Sequence, residues 1–94
     1  MRNGEQQFEK TILRVNPNPA TSSSRVVIQP SKSEKYELRL YDLKGSMMAL
    51  IGREELQANK SIVHNLRANN YIKVVYLIKL VTDSETLIEK IVIQ

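Results

Sequence analysis

Apolar and polar residues alternate most clearly in the last quarter of the chain, residues 71–94. Every second residue from Ile72 to Leu80 is apolar, whereas the intervening positions mix lysines with bulky side chains. This two-residue period predicts a β-strand with one face in a core. The polar run at residues 82–85 predicts a turn, and the β-rich run at residues 86–94 predicts a second strand. Together they predict an antiparallel hairpin. Both faces of its last strand carry apolar residues, so the pattern leaves the inward face open.

Five further short runs predict strands, at residues 12–15, 25–29, 36–41, 46–51 and 61–66. Between the third and fourth of these, Asp42 can accept hydrogen bonds from the amides that follow it, and Gly45 can adopt positive φ, so a hairpin turn is predicted. Gly52 is predicted to end the fourth strand. Residues 53–60 contain helix formers but are too few to hold a helix without packing, so a loop or irregular strand is predicted.

A proline motif, Asn-Pro-Asn-Pro, occupies residues 16–19. Each proline lacks an amide donor and biases the preceding residue towards extended backbone. The motif is therefore predicted to run as a kinked extended segment along a sheet edge, with a turn at residues 20–24.

Seven short strands with frequent turns and no convincing helix predict an all-β fold, an antiparallel β-sandwich. A five-stranded barrel is the alternative. A sandwich would bury one face of most strands, and the predicted core comprises Val26, Ile28, Leu38, Leu40, Tyr76, Ile78, Leu80 and Ile91.

The composition narrows the functional classes. A chain of 94 residues corresponds to one domain, and the absence of cysteine excludes catalytic thiols and zinc-thiolate sites. The polar N-terminus lacks the apolar core of a signal peptide, so we expect either a protein that stays inside the cell or part of a longer precursor. The net charge of +4 comes from scattered Lys and Arg, with few aromatic residues to stack on bases, so no nucleic-acid partner is expected.

No constellation of residues suggests catalysis. His64 is the only histidine, and without a cysteine or second histidine to share a metal it is predicted to be an ordinary strand residue. The two aspartates, Asp42 and Asp83, both fall in predicted turns. Ser22, Ser23 and Ser24 have no neighbouring base. We therefore expect no enzyme, no cofactor and no metal site.

Several motifs, taken in order, resemble the C-terminal sorting domain of type IX secretion cargo. They are residues 16–21 (NPNPAT), 38–45 (LRLYDLKG), 65–66 (NL), 75–80 (VYLIKL) and 89–94 (EKIVIQ). The resemblance covers residues 12–94 and leaves residues 1–11 as a linker from a passenger protein. It implies a seven-stranded Ig-like β-sandwich that is not catalytic. It also assigns the sorting motif, residue by residue, to Pro17, Asn18, Pro19, Asp42, Gly45, Tyr76, Lys90 and Val92.

The same resemblance implies a function and partners. The domain would direct an upstream passenger from the periplasm across the outer membrane to the cell surface or medium, through the type IX translocon. A sortase-like peptidase would then remove it by cleavage within residues 1–12. In this family a glycine usually precedes the tyrosine of the penultimate strand. Asn69 stands in its place if Tyr71 is that tyrosine, and Val74 does if Tyr76 is. The second alignment fits the distance to the chain end better and implies an insertion around residues 70–74.

Other functions of the same fold stay open at this point. An Ig-like adhesin or carbohydrate-binding module would need an exposed aromatic platform. An oligonucleotide-binding barrel would show salt-sensitive affinity for nucleic acid. A terminal strand with a free edge is also expected to allow the isolated domain to form a homodimer.

Overall fold

The computed structural model describes residues 7–94, and these form two antiparallel β-sheets packed face to face. Residues 1–6, part of the predicted linker, lie outside the described residues. One sheet has three strands in the order β1-β2-β5, and the other has four in the order β4-β3-β6-β7. The strands are β1 (Ile12–Asn16), β2 (Ser23–Gln29), β3 (Glu34–Asp42), β4 (Met47–Leu56), β5 (Ile62–Arg67), β6 (Val75–Thr82) and β7 (Thr86–Val92).

The seven-stranded Ig-like sandwich is therefore confirmed, and the barrel alternative is wrong. β1 lies against β7 and β5 against β4, so the edges of the two sheets meet on either side of the core. In the described part of the chain, no helix is long and apolar enough to cross a membrane.

The core lies between the sheets and is built from alternate residues of the strands. β2, β3 and β6 each bury every second side chain, which follows from the two-residue period of a strand with one face on the core. All eight predicted core residues are at most 1% exposed, so this prediction is confirmed. The core also contains Leu13, Ala20, Tyr36, Leu56, Leu66, Ala68 and Ile93.

The hairpin between β3 and β4 has the predicted turn. Oδ1 of Asp42 accepts hydrogen bonds from the backbone N–H groups of Lys44 and Ser46, both at 2.9 Å. Gly45 has φ of +93°, a conformation that glycine adopts without a steric penalty. The second predicted hairpin turn is also present, since the backbone N–H of Thr82 donates to the carbonyl of Glu85 at 2.9 Å.

The start of the penultimate strand differs from the prediction. β6 begins at Val75, and the residues before it form a 3₁₀ turn at Ala68–Asn70 followed by an irregular segment. Ile72 is 74% exposed and Val74 is also exposed. These two residues continue the two-residue period of β6 in the sequence, but they do not belong to its buried face. The irregular segment coincides with the residues of the predicted insertion. It is held by Tyr76, whose hydroxyl donates to the carbonyl of Ile72 at 3.0 Å.

Two other boundaries were predicted wrongly. β4 continues through Gly52 to Leu56, because β3 extends far enough to pair with it and because Leu56 is buried. β2 begins at Ser23 rather than after the serines, because Ser24 faces the core and is paired with Leu66 of β5.

The structure shows which face of β7 points into the core, a question that the sequence pattern left open. Ile91 and Ile93 are buried and Leu87 packs against the core, whereas Ile88 is 52% exposed on the opposite face. The inward row of the last strand therefore consists of the odd-numbered residues.

Candidate functional site

The proline motif lies along the outer edge of β7. β7 is the edge strand of the four-stranded sheet, and its other side is paired with β6 from Val92 back to Thr86. Residues 17–20, which we call the strap, run beside the last residues of β7. The predicted position of the motif along a sheet edge is thus confirmed, and the edge is that of the terminal strand.

Asn18 binds β7 through its side-chain amide. Its Nδ2 donates to the carbonyl of Lys90 at 2.8 Å, and its Oδ1 accepts from the backbone N–H of Val92 at 2.9 Å. A residue paired with Ile91 in a parallel strand would bind these same two groups, the carbonyl before Ile91 and the N–H after it, with its own backbone. A primary amide can do this because it offers both a donor and an acceptor, whereas a carboxylate offers only acceptors.

Ala20 continues the same pattern with its backbone. Its N–H donates to the carbonyl of Val92 at 2.8 Å, and its carbonyl accepts from the N–H of Gln94, also at 2.8 Å. This makes a parallel bridge between Ala20 and Ile93. Asn18 and Ala20 therefore stand beside Ile91 and Ile93 in the register of a short parallel strand. Ala20 is fully buried, so no larger side chain fits there without displacing its neighbours.

The two prolines shape the strap and end the sheet. Both follow cis peptide bonds, and neither has a backbone N–H. A further strand could therefore not form a regular ladder on the outer side of the strap. The carbonyl of Pro17 accepts a hydrogen bond from Oγ of Ser24 at 2.7 Å, and Ser24 is buried in β2. The strap is thus fixed at one end to the three-stranded sheet and at the other to β7.

The strap covers only part of the β7 edge. Its hydrogen bonds extend from Gln94 back to Lys90. Backbone groups in a strand alternate between its two sides, so Thr86 and Ile88 direct their N–H and C=O groups to the same outer side as Lys90 and Val92. Within residues 7–94, no strand is paired with that half of β7. The exposed side chain of Ile88 lies next to this open edge.

The structure brings five of the eight predicted motif residues together: Pro17, Asn18, Pro19, Lys90 and Val92. Tyr76 is buried beneath them, opposite Ile91 in the pairing of β6 with β7, and its ring meets that of Tyr71 edge to face at 5.8 Å. Asp42 pairs with Tyr76 across the β3–β6 ladder, so the hairpin turn containing Gly45 lies at the same end of the sheet but one strand further from β7.

Three residues of this site were missed by sequence reasoning. Ala20, Ser24 and Gln94 contribute backbone or hydroxyl groups rather than charged or aromatic side chains, which gives a sequence pattern little to detect. The small side chain of Ala20 directly after the second proline was the one available sign of a close approach.

His64 lies on β5 as predicted, and its Nε2 is 2.8 Å from the hydroxyl of Tyr36. Burial, and then the negative charge of Glu54, raises the pKa of Tyr36. No group of three or more potential metal ligands occurs within residues 7–94.

A charged cluster lies on the outward face of β3 and β4. Glu37 accepts hydrogen bonds from Arg39 at 2.6 Å and from Arg53 at 2.9 Å, and these two partners, Arg39 first, hold the pKa of Glu37 below its usual range. The hydrogen bond to Glu37 and a second to Tyr41 raise the pKa of Arg39. The cluster lines a shallow groove, but its carboxylate and guanidinium groups are occupied with each other.

Comparison with known proteins bears on this arrangement. The family model described as a secretion system C-terminal sorting domain matches residues 14–94, which include both the strap and β7. A search of curated proteins finds no match.

Proposed function

Because the chain belongs to the family of secretion system C-terminal sorting domains of type IX secretion, we propose that it carries an upstream passenger across the outer membrane and is then cleaved from it. In this proposal the passenger reaches the translocon from the periplasm, and the domain acts by being recognised rather than by catalysis. A sortase-like peptidase removes the domain within residues 1–12, ahead of β1.

One observation carries this proposal. The motifs at the two ends of the matched region, residues 17–20 and 90–94, are joined by hydrogen bonds at one exposed sheet edge. Since an edge strand offers backbone groups to a partner chain, the translocon can recognise β7 by adding a strand to it. Lys90 and Val92 would then be read at the edge itself, and Tyr76 would support them from the core.

The hairpin turn has a supporting role in the proposal. Asp42 and Gly45 fix the connection between β3 and β4, and β3 is the strand on which β6 is paired. They contribute to recognition by holding the sheet beneath β7 in place.

A secretion assay tests the proposal. The whole chain is fused to a reporter behind a periplasmic signal peptide in a type IX-competent cell, and the reporter is measured in the periplasm and outside the cell. The wild-type fusion is expected to be exported. Removal of residues 92–94 is expected to leave the reporter in the periplasm. Export of that truncated fusion at the wild-type level would contradict the proposal.

A point substitution separates recognition from folding. Truncation removes the buried Ile93 and so also weakens the fold. Lys90 is exposed, so Lys90→Ala is expected to reduce export while leaving thermal unfolding unchanged. Lys32→Ala, at an exposed lysine outside the strands, is the matched control and is expected to be exported normally.

The same edge bears on association of the isolated domain. A homodimer through β7 is expected at high concentration, since two open edges can pair. Sedimentation of the purified chain would detect it.

The alternative of a carbohydrate-binding or adhesin module receives less support. Tyr36 and Tyr76 are buried, Tyr71 packs on Tyr76, and the ring of Tyr41 is covered by Lys79 at 4.5 Å. None of the four tyrosines thus offers the open ring face on which a sugar stacks.

A further inference from the structure

The strap and a partner strand would need the same backbone groups. If a receptor strand extends along the whole outer edge of β7, it must bind the carbonyl of Lys90 and the N–H and C=O of Val92. Asn18 and Ala20 already occupy these groups. Two segments cannot bind one side of one strand, so the two arrangements exclude each other.

We propose that residues 17–20 are a displaceable cover for the β7 edge, and that an extended segment of the translocation machinery docks by replacing them. This inference rests on the function proposed above and adds how the site is regulated. While the strap is in place, the end of β7 is closed to other edges and the prolines end the sheet. The open half of the edge, at Thr86 and Ile88, is where the incoming segment begins to pair.

The contacts of the strap suit such an exchange. Asn18 and Pro19 are exposed, so they lose little burial when they leave. Each hydrogen bond that the strap gives up on β7 is replaced by one from the incoming strand, so the exchange is nearly neutral in hydrogen bonding. The incoming strand does not replace two contacts: the burial of the small side chain of Ala20, and the hydrogen bond from Oγ of Ser24 to the carbonyl of Pro17.

The face beside the edge defines the docking segment further. Ile88 and Lys90 point outward from β7 and are exposed. A segment that lies next to this row would place its own outward side chains beside one isoleucine and one lysine. We therefore expect an extended polypeptide with an apolar residue and an acidic residue two positions apart, on the same face of its strand.

A disulfide that ties the strap to β7 tests the exchange. Thr21 and Gln94 directly follow the bridged residues Ala20 and Ile93, and both are exposed. The hydrogen bond of 2.8 Å from the N–H of Gln94 to the carbonyl of Ala20 brings the backbone of Thr21 next to that of Gln94, as a disulfide requires. The chain has no other cysteine, so the double variant Thr21→Cys/Gln94→Cys can form only this intramolecular bond.

The matched control places a disulfide between two paired strands at the opposite edge of the same sheet, without tying the strap or altering β7. Lys35 and Glu55 are exposed and paired between β3 and β4, and Lys35→Cys/Glu55→Cys links strands that stay paired during docking. Both variants are assayed as reporter fusions, with and without a membrane-permeant reductant. The disulfide state in each cell fraction is read by thiol alkylation and gel mobility.

The expected result is selective. The oxidised Thr21→Cys/Gln94→Cys fusion should be exported at least about tenfold less than wild type, because its binding-competent state is no longer populated. Reduction should restore its export, and the control should be exported in both states. Export of the Thr21→Cys/Gln94→Cys fusion with its disulfide intact would overturn the exchange while leaving the sorting function standing.

The remaining outcomes are also decisive. If the wild-type fusion itself is not exported, the sorting function fails and the exchange fails with it. If the Thr21→Cys/Gln94→Cys fusion is not exported even when reduced, Ser24→Ala tests the exchange in the opposite direction, because it removes the hydrogen bond that ties Pro17 to β2. A looser strap should be displaced more easily, so export at or above the wild-type level is expected. Export below the wild-type level from a Ser24→Ala fusion that circular dichroism shows to be folded would overturn the exchange.

Discussion

β4 and β7 form the two edges of the four-stranded sheet, and the chain protects them by different means. β4 is irregular: its pairing with β3 shifts register twice, between Leu38 and Arg39 and between Leu40 and Tyr41. β7 keeps an unbroken register with β6 over its whole length. Bulges bend and twist a strand so that another strand cannot pair along it, and β4 carries this protection within itself.

The edge of β7 depends on a segment from the other end of the chain. It has no bulge and no proline of its own, and the strap supplies both the cover and the prolines. In the exchange proposed above, this difference matters because the bulges of β4 are permanent, whereas the strap can be removed from β7. A docking edge needs regular backbone, and β7 provides it.

Substitutions within β7 test which of its faces holds the fold together. Ile91 is fully buried opposite Tyr76, so Ile91→Ala is expected to lower the free energy of unfolding by about 2–5 kcal/mol, from lost burial and the cavity left behind. Ile88 points outward, and Ile88→Ala is expected to change the free energy of unfolding by less than about 0.5 kcal/mol. Urea unfolding measures both values.

The pair of substitutions also checks the register of the terminal strand. A shift of β7 by one residue would exchange its faces. A larger loss of stability for Ile88→Ala than for Ile91→Ala would contradict the assignment of the odd-numbered residues to the core.

At the other edge, Gly52 permits a close approach between the two sheets. A Cβ at this position would lie 2.4 Å from Cε1 of His64, whose ring is held by the hydroxyl of Tyr36. Gly52→Ala is therefore expected to destabilise the protein by about 1–3 kcal/mol through overpacking.

The same substitution made in a His64→Ala background separates crowding from backbone effects. Without the imidazole ring the three nearest atoms that the added methyl group would meet are gone, so the cost of Gly52→Ala should fall. Thermal unfolding of the four proteins in the cycle gives the coupling energy. Equal costs in both backgrounds would mean that His64 is not the obstacle.

Removal of the side-chain amide at position 18 tests the cover on β7 directly. Asn18→Ala removes two hydrogen bonds, to Lys90 and Val92, and is expected to cost about 1–2 kcal/mol. Amide hydrogen exchange should accelerate at Val92, whose N–H loses its acceptor. The N–H of Ile91 is directed towards β6 and should stay protected.

Asn65→Ala is the matched control for this substitution. Asn65 is an exposed strand asparagine on the three-stranded sheet, and its replacement should leave the exchange of the Val92 amide unchanged. Unchanged exchange at Val92 in Asn18→Ala would mean that the strap does not protect the edge.

The sequence predicted the sandwich and its core because alternation of apolar residues reports burial directly. It also located the proline motif at a sheet edge, since proline can neither donate to a ladder nor continue a helix. It could not say which edge, because Asn18 and Val92 are separated by 74 residues and their contact follows from the packing of the two sheets.

The errors have a common physical origin. Ile72 continues the spacing of β6 but lies in a segment that turns away from the core, and periodicity alone does not report where pairing stops. Gly52 was expected to end a strand, yet β4 continues through it because β3 pairs with β4 as far as Leu56, and the facing imidazole leaves no space for a side chain there. Both depend on contacts between distant segments, which one strand's pattern does not contain.

The smallest effect concerns the charged cluster that ties β4 to β3. Arg39 and then Arg53 lower the pKa of Glu37 below its ordinary value of 4.5 by hydrogen bonds to the carboxylate. A carboxyl group with a lower pKa in the folded state binds fewer protons than in the unfolded state. Its stabilising contribution is thus complete above pH 4.5 and is lost as the pH falls through the folded-state pKa.

Glu37→Gln is therefore expected to lower the urea midpoint slightly at pH 7, since the cluster is exposed and screened by solvent. The midpoints of the variant and the wild type should converge as the pH falls from 5 towards 3. Glu55→Gln, at an exposed position on the same strand as Arg53, provides the matched control. A difference between wild type and Glu37→Gln that stays constant or widens towards pH 3 would show that the carboxylate charge of Glu37 does not hold the β4 edge against β3.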